Sequence, residues 1–146
     1  MEPAQIAAVD REIVRLERGE CLRLLATAPA GRLIFTVNAL PAVRVMNFAL
    51  AGEMIVVRTA ATSTAARRAA GAIVAFEADA LDAAACSGWQ VTVTGRAELV
   101  TDPDAAARYR TLGLVPWAPG PRETFLTIST EIVQGQHVGL PDKPQP

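Results

Sequence analysis

The sequence has 146 residues, about half of them apolar, which predicts a single domain over residues 1–140 and a proline-rich, disordered tail over residues 141–146. No apolar run approaches the roughly 20 residues needed to cross a bilayer, and the amino end lacks the features of a secretory signal, so we expect a cytoplasmic protein that does not enter a membrane. With a formal net charge of −1 and scattered basic residues, the chain lacks the electrostatic footprint of a nucleic-acid-binding protein, which favours a small-molecule partner.

The first predicted element is a helical region over residues 10–26. Gly19 falls in the middle of this region, so the sequence predicts two helices, the second of which ends before Pro29. Four apolar residues recur there at roughly helical spacing: Ile13, Leu16, Leu22 and Leu25.

Six later segments have the alternation or the β-branched and aromatic composition of strands. The first three are joined by short turns, which leave no room for the crossover helices of a parallel sheet. The sequence therefore predicts a mainly β fold with short helices, an antiparallel Greek-key or split barrel. Gly95, inside the fifth segment, indicates a bend or bulge. The segments are "GRLIFTV", "AVRVMNFAL", "MIVVRT", "AIVAFEAD", "WQVTVTGRAELV" and "TFLTISTEIVQGQHVG".

Two short helices are predicted between the strands. One follows the third strand and stops at Gly71. The other has Asp102 as its cap, Pro103 at its first position and Gly113 after its end. The loop "VPWAPGPRE" that comes next is expected to be rigid.

The stretch "RTAATSTAARRAAG", Arg58 to Gly71, collects hydroxyls and arginines where a strand changes into a helix. Hydroxyls, the amino end of a helix and the guanidinium groups of Arg58, Arg67 and Arg68 would together suit a dianionic phosphate. Ordinary capping is the alternative: Thr62 or Ser63 would stabilise the helix by about 1 kcal/mol while the arginines face solvent.

Other candidate groups favour structural roles. Glu77 and Asp79 share one face of a strand, and we expect a solvated or salt-bridged face there rather than a catalytic or metal site. His137, the only histidine, is expected at the surface, so no catalytic triad or Cys–His pair is predicted. Cys21 and Cys86 lack metal-binding companions and are predicted to be reduced thiols in the core.

The order of the segments resembles that of the pyridoxamine 5'-phosphate oxidase-related, FMN-binding split-barrel family, particularly its small actinobacterial-type members. The match extends over nearly the whole chain. Six short motifs carry it in this order: Gly31-Arg32-Leu33, Asn47-Phe48, Arg58-Thr59, Phe76-Glu77, Gly88-Trp89 and Pro116-Trp117.

This resemblance implies a six-stranded split barrel that forms a homodimer, with FMN in a groove between the subunits. It implies a flavin-dependent oxidoreductase of unknown small-molecule substrate, in which the Arg58–Thr64 segment grips the phosphate. The residues that the interpretation assigns to the cofactor are Val45, Met46, Asn47, Phe48, Arg58, Thr59, Ser63, Thr64, Arg67, Arg68, Trp89 and Trp117.

Two departures from the family pattern bear on this prediction. Thr64 stands where relatives usually carry a lysine, which removes a charge that contributes roughly 1.5 to 3 kcal/mol in a favourable hydrogen bond. Gln136 stands where the closing strand often has an arginine. The alternatives to an FMN enzyme are a reductase that uses a deazaflavin cofactor and a non-enzymatic, cofactor-poor dimer of the same fold.

Overall fold

The computed structural model of the chain describes residues 12–117, 120 and 122–139, and an antiparallel sheet dominates them. The mainly β architecture with short helices that the sequence predicts is confirmed. The nine strands of the described residues are β1 (Glu12–Leu16), β2 (Gly31–Val37), β3 (Leu40–Met46), β4 (Ala49–Ala51), β5 (Met54–Thr59), β6 (Ile73–Asp82), β7 (Ser87–Leu99), β8 (Thr124–Ile128) and β9 (Ile132–Gly139). The three helices are α1 (Arg18–Leu25), α2 (Thr64–Ala69) and α3 (Pro103–Arg110).

The long strand β7 lies in the middle of the sheet, whose strand order is β3-β2-β6-β7-β8-β5-β4. Strand β9 pairs with the first part of β7 and carries β1 on its other side. Within the described residues this path does not close on itself, and β3 and β4 form its two ends.

Strand β7 changes partner at Gly95. It pairs with β9 as far as Thr94 and with β8 from Ala97 onward. A Cβ atom at Gly95 would lie 1.8 Å from the carbonyl oxygen of Ser129. The predicted bend is therefore a close backbone approach that only glycine allows.

The first predicted helix is wrong over the residues that the structure describes. Residues 12–16 form β1, an edge strand paired with β9, and Gly19 lies in the first turn of α1 instead of dividing two helices. Ile13 and Val14 are 69% and 45% exposed, so β1 lacks the alternation of buried and exposed residues that marks a strand. Residues 10 and 11 and the predicted tail over residues 141–146 lie outside the described residues.

Two segments that were each predicted as one strand are divided. The second segment breaks at Asn47 and Phe48 into β3 and β4, which lie at opposite ends of the strand order. The last segment breaks at residues 129–131 into β8 and β9. With β1, these two divisions explain why the structure has nine strands where the resemblance implies six.

The helices close the core and orient the turns beside it. Helix α1 buries Cys21 and Leu25, and α2 buries three alanines on the face that packs against β2 and β7. The predicted glycines after α2 and α3 have left-handed backbone angles: Gly71 has φ +80° and Gly113 has φ +69°. No helix in the described part of the chain is long and apolar enough to pass through a bilayer.

Candidate functional site

The turn between β5 and α2 brings two hydroxyl groups together. Thr59, the last residue of β5, is buried, and its Oγ1 lies 2.9 Å from the Oγ of Ser63. Ser63 is the N-cap of α2, and its Oγ accepts a hydrogen bond from the N–H of Ala66 at 3.0 Å. The predicted capping role is thus confirmed for Ser63, whereas the side chain of Thr62 is exposed.

A cavity of about 240 Å³ opens beside this turn, and we call it the β3–β5 cavity. Its walls come from the end of β3, the turn before α2 and the segment that follows α3. Eight residues that the sequence analysis assigned to the cofactor line it: Val45, Met46, Asn47, Arg58, Thr59, Ser63, Thr64 and Trp117. The rest of the lining is Arg44, Ala65, Pro116 and Arg122.

The β3–β5 cavity is cationic. Three arginines line it, Arg44, Arg58 and Arg122, and none of the described residues in its lining is acidic. The guanidinium group of Arg44 donates to the carbonyl oxygen of Val43 at 2.9 Å and lies 5.9 Å from the ring centroid of Phe35. The sequence does not point to Arg44 or Arg122: Arg44 looks like an ordinary solvent-facing strand residue, and Arg122 belongs to a predicted loop with no local signal of a binding site.

Arg58 donates hydrogen bonds to backbone carbonyl oxygens of the segment after α3. Its Nε donates to the carbonyl oxygen of Arg122 at 2.6 Å and its Nη1 to that of Leu114 at 3.4 Å. Its guanidinium carbon lies 5.5 Å from the ring centroid of Phe125, its neighbour on β8. Asn47 holds the same segment, since its Nδ2 donates to the carbonyl oxygen of Val115 at 2.6 Å.

Four predicted cofactor residues do not line the β3–β5 cavity. Phe48 is buried in the core, where its ring meets that of Phe76 edge to face at a centroid distance of 4.8 Å. Arg67 and Arg68 lie on the exposed side of α2, because the alanines of that helix occupy its buried face. Trp89 is half-buried on β7 and packs against the core.

Gln136 also lies away from the β3–β5 cavity. It lines a second groove of about 470 Å³ that crosses β1, β9 and β7, together with Arg15, Gln90 and Gln134. The residue at position 136 therefore does not contribute to the charge of the β3–β5 cavity within one copy of the chain.

The two carboxylates of β6 lie on the predicted salt-bridged face, where both contact Arg32. Nη1 of Arg32 lies 2.7 Å from Oε1 of Glu77 and 3.0 Å from Oδ2 of Asp79. Nε2 of Gln90 donates to the other oxygen of Glu77 at 2.9 Å. The hydrogen bond to Glu77 and the charge of Asp79 raise the pKa of the Arg32 guanidinium. Both acids are thus engaged in a structural network across β2, β6 and β7.

The two thiols and the single histidine differ in their exposure. Cys21 is buried, and this burial raises the pKa of its thiol. The prediction of a second core thiol is wrong, because Cys86 lies exposed in the turn between β6 and β7. His137 is exposed, as predicted. Among the described residues, no three acidic, cysteine or histidine side chains are grouped so that they could hold a metal ion.

Comparison with known proteins identifies the family. A sequence model described as pyridoxamine 5'-phosphate oxidase matches residues 17–138. The chain belongs to the pyridoxamine 5'-phosphate oxidase family. It is also similar to the uncharacterized protein Rv0080 of Mycobacterium tuberculosis, with 45% identity over 130 residues that cover 86% of this chain and 85% of that protein. The resemblance inferred from the sequence is confirmed.

Solved structures of similar proteins share this fold. The FAD-binding protein of Mycobacterium smegmatis is 27% identical, with a TM-score of 0.74 over 86% of this chain and 98% of that one. An FAD-binding protein of Mesorhizobium loti is 18% identical and superimposes with a TM-score of 0.73 over 89% of this chain and 99% of that one, a likeness of fold. The predicted fold class, a mainly β split barrel, is confirmed.

Proposed function

We propose that this member of the pyridoxamine 5'-phosphate oxidase family is a homodimeric flavoprotein of oxidoreductase type, with FMN as its cofactor and a small molecule as its substrate. The observation that carries the proposal is the composition of the β3–β5 cavity. It combines hydroxyls, several guanidinium groups and apolar side chains, which match the phosphate and the flat ring of a flavin mononucleotide.

The polar half of this set suits the phosphate. Thr64 and Ser63 offer hydroxyls, and Arg44 offers a guanidinium group whose planar fork can donate two parallel hydrogen bonds to phosphate oxygens. Arg122 adds a further positive charge to the lining. Hydrogen bonds of this kind are stronger than neutral ones. The arginines therefore replace the charge that is missing at Thr64.

The apolar half suits the ring. Val45 and Met46 at the end of β3 would lie along one side of it, and Trp117 offers an aromatic surface at the rim. A bound flavin supplies the redox chemistry, so the residues of this chain need only bind it, orient it and exclude water. This accounts for an oxidoreductase without a catalytic triad or a nucleophile–base pair among its described residues.

A second copy of the chain completes the site in this proposal. A cavity of about 240 Å³ is smaller than the roughly 300 to 1,000 Å³ of typical ligand sites, so one copy encloses only part of a flavin. Several apolar side chains at or near its lining are largely exposed: Val43 (50%), Val45 (67%), Val115 (71%) and Trp117 (65%). Contact with a second copy would bury them. Sedimentation that detects only monomer at micromolar concentration would contradict this part of the proposal.

FAD, a deazaflavin cofactor and a dimer without cofactor are the alternatives to an FMN enzyme. FAD is the second candidate, because the M. smegmatis relative at 27% identity is an FAD-binding protein. A deazaflavin cofactor requires room for a longer acidic tail. A non-enzymatic dimer that has lost its cofactor is the alternative from another class, and the neutral side chain of Thr64 is its support.

Titration of the purified protein tests the proposal. FMN, FAD and a deazaflavin cofactor are added in parallel, and the quenching of their fluorescence and the shift of their visible absorption are recorded. We expect FMN to bind at micromolar concentration and to bind more tightly than the other two. A preference for FAD or for the deazaflavin would reassign the cofactor, and no binding of any of them at tens of micromolar would support the cofactor-poor dimer.

A further inference from the structure

We infer that Arg58 is a positioning residue and does not bind the phosphate. It joins the two ends of the segment between Leu114 and Arg122, and we call these joined ends the neck of the segment. This inference rests on the proposed flavin site and changes the role that the sequence analysis gave to Arg58. The segment concerned carries Pro116 and Trp117 into the lining of the β3–β5 cavity.

The hydrogen bonds define the neck. The two carbonyl oxygens that Arg58 holds belong to residues eight positions apart, Leu114 and Arg122, and both are acceptors for the same guanidinium group. A single side chain thus ties the beginning of the segment to its end. Asn47 adds a third fastening at Val115, next to the first one.

The side chain of Arg58 is itself fixed by its neighbours. Arg58 lies opposite Phe125 in the pairing of β5 with β8, and its guanidinium carbon is 5.5 Å from that ring. The stack and the strand fix the direction of the guanidinium group, so its donors point at the neck. The position of Trp117 over the cavity therefore depends on β5 through Arg58.

The two roles make different predictions for flavins with and without a phosphate. A residue that binds phosphate contributes to the affinity for FMN but not to that for riboflavin, which has the same ring and no phosphate. A residue that positions the wall beside the ring contributes to both affinities. Arg44, which is not tied to this segment, provides the contrasting case within the same cavity.

The experiment compares the full-length wild type with Arg58→Met, Arg44→Met and Arg96→Met. Methionine keeps much of the aliphatic packing and removes the donors, and Arg96 is the matched control because it donates to a carbonyl oxygen, that of Gly71, outside the cavity. In Arg58→Met we expect the affinities for FMN and riboflavin to fall by the same factor, on the order of tenfold. In Arg44→Met the affinity for FMN should fall and that for riboflavin should stay unchanged.

Limited trypsin digestion of the same proteins without ligand tests the neck directly. Cleavage after Arg122, identified by mass, should be at least about fivefold faster in Arg58→Met than in wild type. The segment must open locally before trypsin can cut it, and in this variant it opens without breaking the hydrogen bonds of Arg58. Cleavage after Arg32, in β2, reports global unfolding and should keep the wild-type rate. Arg44→Met and Arg96→Met should leave cleavage after Arg122 unchanged.

Two results would overturn the inference. One is an unchanged rate of cleavage after Arg122 in Arg58→Met, whatever the flavins do. The other is a loss of affinity restricted to FMN, which would make Arg58 a phosphate ligand. If the wild type binds neither flavin, the proposed function fails, and the digestion still decides the role of Arg58.

Discussion

The hydroxyl oxygens of Thr59 and Ser63 lie 2.9 Å apart, so the last residue of β5 is hydrogen-bonded to the residue that caps α2. The same Ser63 oxygen accepts the N–H of Ala66. Capping and ligand binding are therefore compatible at this turn, because the structural bonds hold the hydroxyls at the edge of the cavity.

Ser63→Ala removes both of these bonds. We expect it to lower the free energy of unfolding by about 1 kcal/mol, as for other lost N-caps, and to weaken FMN binding. Urea denaturation measures the first effect and flavin titration the second. Thr62→Ala is the matched control: its side chain is exposed and does not line the cavity, so stability should change by less than about 0.5 kcal/mol. Equal stability of the two variants would contradict the capping geometry.

Thr64→Lys places an additional cation in the lining of the β3–β5 cavity. A charge-assisted hydrogen bond to the phosphate should strengthen FMN binding by roughly tenfold or more and leave riboflavin binding unchanged. Isothermal titration with both flavins gives the comparison. Thr62→Lys adds the same charge outside the lining and should have little effect on either flavin. A gain of the same size in Thr62→Lys would show that the effect comes from net charge alone.

Arg32→Met leaves the carboxylate of Glu77, which is 8% exposed, without its cation. We expect a loss of about 2 to 3 kcal/mol in the free energy of unfolding, somewhat below the value for a fully buried pair. Denaturant unfolding measures it. Arg23→Met breaks an exposed pair with Glu20 and should change stability little. Near-wild-type stability of Arg32→Met would mean that water solvates Glu77 more than its burial indicates.

The two thiols should differ sharply in reactivity. Cys86 is exposed and should react with a thiol reagent at pH 8 within minutes, whereas Cys21 should react only on unfolding, because it is buried and its thiolate is disfavoured. Mass spectrometry of the native protein should find a single label. Cys86→Ser should remove this fast label. Rapid double labelling of the native wild type would contradict the burial of Cys21.

Part of the fold could be predicted from the sequence because the patterns there are strong. Strand β7 alternates clearly between apolar and polar residues, and β2 is rich in β-branched and aromatic residues. The edge strand β1 does not alternate in this way, and the spacing of Ile13 and Leu16 fits a helix equally well. The sequence does not predict the break between β3 and β4, because the alternation runs on through Asn47 and Phe48 is itself typical of a strand.

From residue patterns alone, the candidate site was predictable only where its residues are close in sequence, whereas the family resemblance supplied Val45, Asn47 and Trp117. The turn from Thr59 to Thr64 carries a local signal, a run of hydroxyls before a helix. Arg122 has no such signal, since it reaches the cavity through the pairing of β5 with β8 and the hydrogen bonds of Arg58. Arg67 and Arg68 are near the turn in sequence, but the helix directs them to solvent.

A crystal structure of the protein with FMN would show where the flavin binds. We expect the phosphate within hydrogen-bonding distance of Ser63 or Thr64 and of Arg44, the ring along Val45 and Met46, and a second copy of the chain over its open side. A flavin bound in another place, such as the groove beside Gln136, or a hydroxyl turn that faces open water remote from any contact between copies, would contradict this expectation.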